Sequence, residues 1–295
     1  MSAVAPEKAV AAHELEAAVR GPADQETHGL VTPQFLGSRP RSRALSLALR
    51  AVVPAGLLLL WWWLSASGRV DQAVLASPGS VLTAFRELWE TGQLADYTAA
   101  SAKRAGLGVL FGAGAGLALG LLSGFSRLGE ELIDTTMQMK RVVPFLALVP
   151  LFISWFGVDE TFKVVLIAVS ASAPMYAYTY LGVRGVDRKV VEAARGFGLT
   201  GPRLALTVVL PGALPNILMG LRISLGISLT ALIAAEQVST TEGIGYLVSL
   251  AQQYYRPDYM VLCIVLYALL GLAVDSLIRL VERKAMPWRK HLTLR

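Results

Sequence analysis

Cysteine is nearly missing: Cys263 stands alone in 295 residues. That excludes a disulfide framework and any cysteine-based metal cluster. Histidine is as sparse. His13, His28 and His291 all fall near the chain ends, and no His/Asp/Glu grouping has metal-ligand spacing. No glycine is followed by lysine, so there is no G-x-x-x-x-G-K-[ST] loop to cradle a nucleotide phosphate. Charge is scarce above all. Charged residues make up 16% against 54% hydrophobic, where a soluble domain carries roughly 25%. Mean hydropathy is +0.54, too apolar for a surface that must stay dispersed in water. These shortages exclude a soluble enzyme, a disordered chain and, despite a net charge of +6, a nucleic-acid binder. An all-α polytopic membrane protein remains.

Long uncharged stretches are what the chain has instead. A bilayer core about 30 Å thick takes roughly 20 residues of helix. Four stretches approach that without a charge: 51–68 (18 residues), 105–125 (21), 142–157 (16) and 164–183 (20). The third is short, and the amphipathic run 132–139 extends it. A fifth, 208–235, is apolar except for Arg222; a sixth, 259–274, continues as an amphipathic end to Glu282. Six transmembrane helices are therefore expected.

The polar, aromatic-poor residues 1–43 read as a disordered cytoplasmic tail, with no short apolar core and cleavage site of a signal peptide. Residues 44–68 hold the first span, with Trp61, Trp62 and Trp63 as an interfacial anchor. An extracytoplasmic segment covers 69–104, the other five spans 105–284, and a cytoplasmic tail 285–295. With the N-terminus inside, cytoplasmic segments (1–50, 126–141, 184–203 and 279–295) hold 20 Lys and Arg; outer segments hold 6. That bias places both termini in the cytoplasm.

Gly108, Gly112, Gly116, Gly120 and Gly124 form a four-residue ladder on one face of the second span. Small residues let backbones approach in lipid, where packing replaces the hydrophobic drive. The ladder is read as a seam against a neighbouring helix or a second copy of the chain. Pro144 and Pro150, and Pro211 and Pro215, should kink or restart the third and fifth spans.

The segment between the fourth and fifth spans is patterned. Asp187 can cap a short helix over 189–196. Gly196, Gly198 and Gly201 break it, and Pro202 suits the first turn of the next helix. Glu192-Ala193-Ala194, three residues, Gly198, nine residues, Val208, one residue and Leu210-Pro211 resemble the EAA loop of permease subunits of bacterial ATP-binding cassette importers. Val208 replaces the usual isoleucine. The runs 144–151, 155–157, 182–187, 210–215 and 243–247 resemble the sulfonate, taurine and nitrate branch, with particular similarity to aliphatic sulfonate permeases.

The resemblance implies a type I importer permease fold with a cytoplasmic coupling helix inside the loop at 187–211, in the bacterial inner membrane. It implies that Asp187, Glu192, Ala193, Ala194, Gly198, Leu210 and Pro211 couple to two separate ATPase subunits. Those would carry ATP and Mg, leaving no cofactor in this chain. The other implied partners are a second copy of the permease and an extracytoplasmic solute-binding protein, with no nucleic acid. Carrying no phosphate loop, nucleophile, metal ligands or paired acids, the chain is read as a transport component and not an enzyme. An ion-coupled transporter would show mid-span carboxylates or an inverted repeat; neither is present.

Charges within spans are costly and usually functional or paired. Arg222 could face the passage and fork onto an anion, or it could snorkel or pair with a neighbour. Met175 and Tyr176, with Tyr178 and Tyr180, could line the passage or pack between helices. Glu236 reads as a structural hydrogen-bonding partner or gate hinge, and Asp275 and Arg279 as an i,i+4 pair. Lys103 and Arg104 could draw in anions or anchor at the interface.

Overall fold

The computed structural model describes residues 43–287 apart from 69, 70, 72, 73 and 239, with side chains from residue 52 onward. The expected tails at 1–43 and 285–295 lie almost wholly outside the described residues. The chain divides into two units, Met1–Leu59 and Leu60–Arg295. Of the first, the described part is helical, the beginning of α1 (Arg43–Ala66).

The second unit holds α2 (Pro78–Glu90), α3 (Gln93–Phe125), α4 (Arg127–Val142), α5 (Phe145–Phe156), α6 (Glu160–Arg184), α7 (Arg188–Gly196), α8 (Gly201–Glu236), α9 (Ile244–Gln253) and α10 (Pro257–Ala285). No strand occurs among the described residues. Helices are what lipid demands, because each must satisfy its backbone groups internally.

Four helices, α3, α6, α8 and α10, are long and apolar enough to cross a membrane. The pair α4 and α5, bent by 91° at the break between them, is long and apolar enough only when the two are taken together. The expectation of six also counted 44–68, where α1 is a helix of 24 residues whose apolar part, among residues with described side chains, is Val52–Ala66. Trp62 and Trp63 are exposed, while the Trp61 indole donates to the Ala76 carbonyl at 3.0 Å.

Residues 126–141, counted with the cytoplasmic segments although 132–139 also reads as an extension of the third span, form α4, which runs antiparallel along α6. Glu130 meets Tyr180 and Arg184, Asp134 accepts from Tyr176 at 3.0 Å, and Lys140 donates to Ser172. Ser172 is the middle residue of α6. Lys140 and Arg141 therefore lie halfway along α6. The chain turns at Val143 and Pro144, both extended (ψ 120° and 118°). A residue before proline is disfavoured in the helical region, and proline cannot continue the hydrogen-bond ladder.

The central packing is α3 on α6, two parallel helices. An added Cβ would stand 2.4 Å from Ile167 at Gly108, 2.2 Å from the Ala168 carbonyl oxygen at Gly112, and 2.4 Å from the Ser172 carbonyl oxygen at Gly116. At Gly120 and Gly124 it would stand 2.7 Å from Thr179 and Val183. All five rungs thus face α6 of the same chain. Helix α8 closes on the other side of α6, where Gly182 meets Ala213 and Asn216, and Gly220 meets Tyr178. Leu110 and Phe111 point away from the seam and are exposed, as suits a lipid-facing side.

At the end where α6 begins, α2, α9 and the first turns of α3 and α10 build a separate apolar cap around Ala84, Leu88, Ile244, Leu247 and Cys263. Ser77 caps α2, accepting from the Ser80 amide at 3.1 Å. Arg256 braces the cap by donating to Asp258 at 2.8 Å and lying over the Tyr259 ring. The hydrogen bond to Asp258 holds its guanidinium above the ordinary range.

Candidate functional site

Three regions carry chemistry that packing alone does not require. The first is α7 and its flanks. The Asp187 carboxylate accepts from the Lys189 amide at 2.8 Å, fixing the helix start. The other end closes in a double turn: the Leu199 amide donates to Ala194 at 3.1 Å and the Gly198 amide to Arg195 at 2.9 Å. This closure needs a left-handed residue at Gly198, whose φ is +84°. Pro202 then opens the next helical turn.

Glu192 is exposed and pairs with Arg188 at 2.9 Å, Ala193 is exposed and Ala194 is buried. Leu210 packs on the core beside Ala213 and Ile217, and Pro211 follows it, half-buried, after a π-helical turn at Ala205–Val209. The sequence reading missed Phe197. It is 89% exposed beside the cap, an apolar knob that its place next to two glycines could have flagged.

The second region is a buried ion cluster where α3, α6 and α8 meet the α9 end. Arg104 forks onto Glu160 at 2.7 and 2.8 Å and also donates to Glu236 at 2.8 Å. Glu236 accepts further from Ser101 and from the Gly245 amide, each at 2.8 Å. Ser101 in turn accepts from the Ile244 amide at 2.8 Å. Lys163 completes the cluster through Glu160 at 2.8 Å. Glycine is required at 243 and 245, since a Cβ there would stand 2.6 and 2.5 Å from Glu236 atoms. The reading of Glu236 as a hydrogen-bonding partner describes its place. Arg104, 3% exposed, is committed to this cluster and unavailable to draw in anions; Lys103 beside it is exposed.

The third region is a cavity of about 600 Å³ at the break between α4 and α5. Lys140, Arg141, Phe145 and Leu148 from the break face Ser170, Pro174 and Tyr178 of α6 and Ile223 and Ile227 of α8. Pro174 has no N–H for the Ser170 carbonyl, so the α6 ladder is itself interrupted at the cavity wall. Irregular backbone at membrane depth is tolerated where it is buried in protein or lines a cavity.

The residues expected in a passage divide. Tyr176 lines a smaller neighbouring cavity of about 150 Å³ with Asp134 and Arg141. Met175 is buried in the seam between Gly116 and Gly220 and lines neither cavity.

Arg222 takes the second of its two readings, pairing with neighbours. It donates to Glu282 at 3.0 Å and lies 3.3 Å from Asp275, because a cation among apolar helices lowers its energy by pairing. Asp275 also accepts from Arg279 at 2.6 Å. Arg222→Gln is expected to cost about 1 kcal/mol at most, since all three partners of the network are partly exposed. The check is the thermal midpoint of the detergent-purified protein; failure to recover folded protein would assign the pair a larger role.

Residues 112–286 match the family described as binding-protein-dependent transport system inner membrane component. The chain is similar to two proteins named as aliphatic sulfonates transport permease protein SsuC. Identity to that of Bacillus subtilis (strain 168) is 42%, covering 81% of this chain and 86% of the relative. Identity to that of Escherichia coli (strain K12) is 45%, covering 80% and 90%. The crystal structure of an amino acid ABC transporter with histidines superposes with a TM-score of 0.57 at 22% identity, over 68% of this chain and 97% of that one. At that identity the likeness speaks for the fold.

Proposed function

Because the chain belongs to the inner membrane components of binding-protein-dependent transport systems, we propose that it is the permease of an ATP-driven importer whose cargo is an aliphatic sulfonate. The carrying observation is the capped knob at 187–198. A nine-residue helix fixed at both ends by local hydrogen bonds, with Phe197 in full exposure, is shaped to be gripped and to transmit force. Sulfonate as cargo draws support from the names of the two similar permeases.

In this reading two copies of the permease pair with two ATPase subunits that bind ATP and Mg. The α7 side and both chain termini face those subunits. A sixth span, formed by α1, completes the topology. A loaded solute-binding protein docks on the opposite side, where α2 and α9 build the cap, and α7 passes ATPase closure into α6 and α8.

The test is uptake of labelled alkanesulfonate into vesicles holding permease, ATPase and binding protein. Uptake that needs ATP and all three components is expected; transport by the permease alone, or no affinity for the ATPase, would overturn the reading. Within that assay Gly198→Val is diagnostic. No atom lies within 4 Å of a Cβ at 198, so its penalty is conformational, about 1–2 kcal/mol for a left-handed residue, and local to the knob. Membrane insertion is expected to persist while binding-protein-stimulated ATP hydrolysis falls at least tenfold. If the variant fails to insert, Gly198 serves folding and not coupling.

A further inference from the structure

The break in the third span has a property that folding does not explain. Arg104 and Lys163 are matched to carboxylates in the ion cluster, and Arg222 to Asp275 and Glu282. Lys140 and Arg141 lie halfway along α6, yet among the described residues neither has a carboxylate partner. Lys140 is held by the Ser172 hydroxyl, which fixes its position and leaves its charge uncompensated. Both cations stand in the last turn of α4, where helix carbonyls favour positive charge. That favours their presence at a helix end, but it does not supply the cavity they face.

We infer that this cavity is an intramembrane binding site for an organic sulfonate with an apolar tail, the headgroup on Lys140 and Arg141 and the tail against Leu148, Ile223 and Ile227. The inference rests on the import reading and deepens it by placing the cargo inside the permease. About 600 Å³ falls within the roughly 300–1,000 Å³ of small-molecule pockets. Intramembrane charge and broken helices near mid-depth are where transport sites form.

The lining narrows the ligand. A sulfonate offers oxygens to the forked guanidinium and to the ammonium, forming charge-assisted hydrogen bonds. The Tyr178 hydroxyl, without a hydrogen-bond partner among the described residues, is a further donor on the same wall. The opposite wall is aliphatic and gains by covering an alkyl chain. Taurine would bring an ammonium toward two cations, and nitrate would leave the aliphatic wall without a partner. An alkanesulfonate satisfies both ends of the cavity.

The experiment uses the whole importer in vesicles with labelled hexanesulfonate as probe. Lys140→Gln combined with Arg141→Gln is expected to lower uptake at least tenfold, while Lys140→Arg with Arg141→Lys restores it to within about threefold. Hexanoate in excess inside the assay should compete weakly; competition equal to that of unlabelled hexanesulfonate would overturn sulfonate as the class. Ile227→Trp shortens the apolar end, and is expected to reduce hexanesulfonate uptake at least fivefold more than ethanesulfonate uptake. This arm decides the matter even if the charge variant fails to assemble. Wild-type uptake by the double glutamine variant, or indifference of Ile227→Trp to tail length, would sink the site. If the unaltered importer takes up no sulfonate, it is the import reading that fails.

Discussion

Glu236→Ala should destabilise the protein by about 3–5 kcal/mol, the range for breaking a buried ion pair from one side. Glu236 is 1% exposed and Arg104 3%, so solvent screens little. Removing the carboxylate also strips acceptors from Ser101 and from the Gly245 amide, and buried donors without partners add their own cost. Arg104 keeps its fork on Glu160, which limits the loss. Glu236→Gln preserves shape and one acceptor, so a smaller decrease is expected. Thermal unfolding in detergent, followed by a fluorescence or aggregation readout, should rank wild type, Gln and Ala in that order. Equal midpoints for all three would mean that the cluster is not what holds α3, α6 and α8 together.

The second large effect lies in the glycine seam. Gly112→Val places its first side-chain carbon 2.2 Å from the Ala168 carbonyl oxygen and 2.6 Å from its Cα. These are backbone atoms of a helix, unable to rotate aside as a side chain would. Overpacking typically costs about 1–3 kcal/mol and more where nothing yields. The upper end or beyond is expected here, seen as loss of folded protein from the membrane fraction. Gly114 supplies the contrast. It lies on the same helix two residues away with nothing within 4 Å, so Gly114→Ala should leave yield and midpoint unchanged. Both changes raise helix propensity, so similar losses from both would mean that the close approach to α6 is not what makes α3 sensitive.

Features written in local rules were legible in the sequence. The uncharged runs locate α3 and α6, the four-residue glycine spacing gives their contact face, and Asp187 and Pro202 take the capping and opening roles their chemistry favours. The pairing of Asp275 with Arg279 follows from a single turn of helix. Partnerships spanning long stretches of chain were not legible. Arg104 meets Glu236 across 132 residues, and Arg222 meets Glu282 across 60; no periodicity connects them.

The third span misled for a different reason. Lys140 and Arg141 end the uncharged run, and a cation at the edge of an apolar stretch ordinarily marks the membrane surface. Here a hydroxyl at Ser172 and a cavity receive them midway, and the proline break that follows was the available hint. The first uncharged run, 51–68, falls almost wholly on α1, a helix of 24 residues.

A mechanical consequence follows from how α6 is held. Its 25 residues rise about 37 Å from Glu160 in the ion cluster to Arg184, just ahead of the knob. The glycine rungs clamp it to α3 on both sides of Pro174, from Ile167 to Val183, so the weak point of its hydrogen-bond ladder is splinted. α6 is therefore a braced strut, joining the end beside α7 to the far latch of Arg104 and Glu160 with little slack.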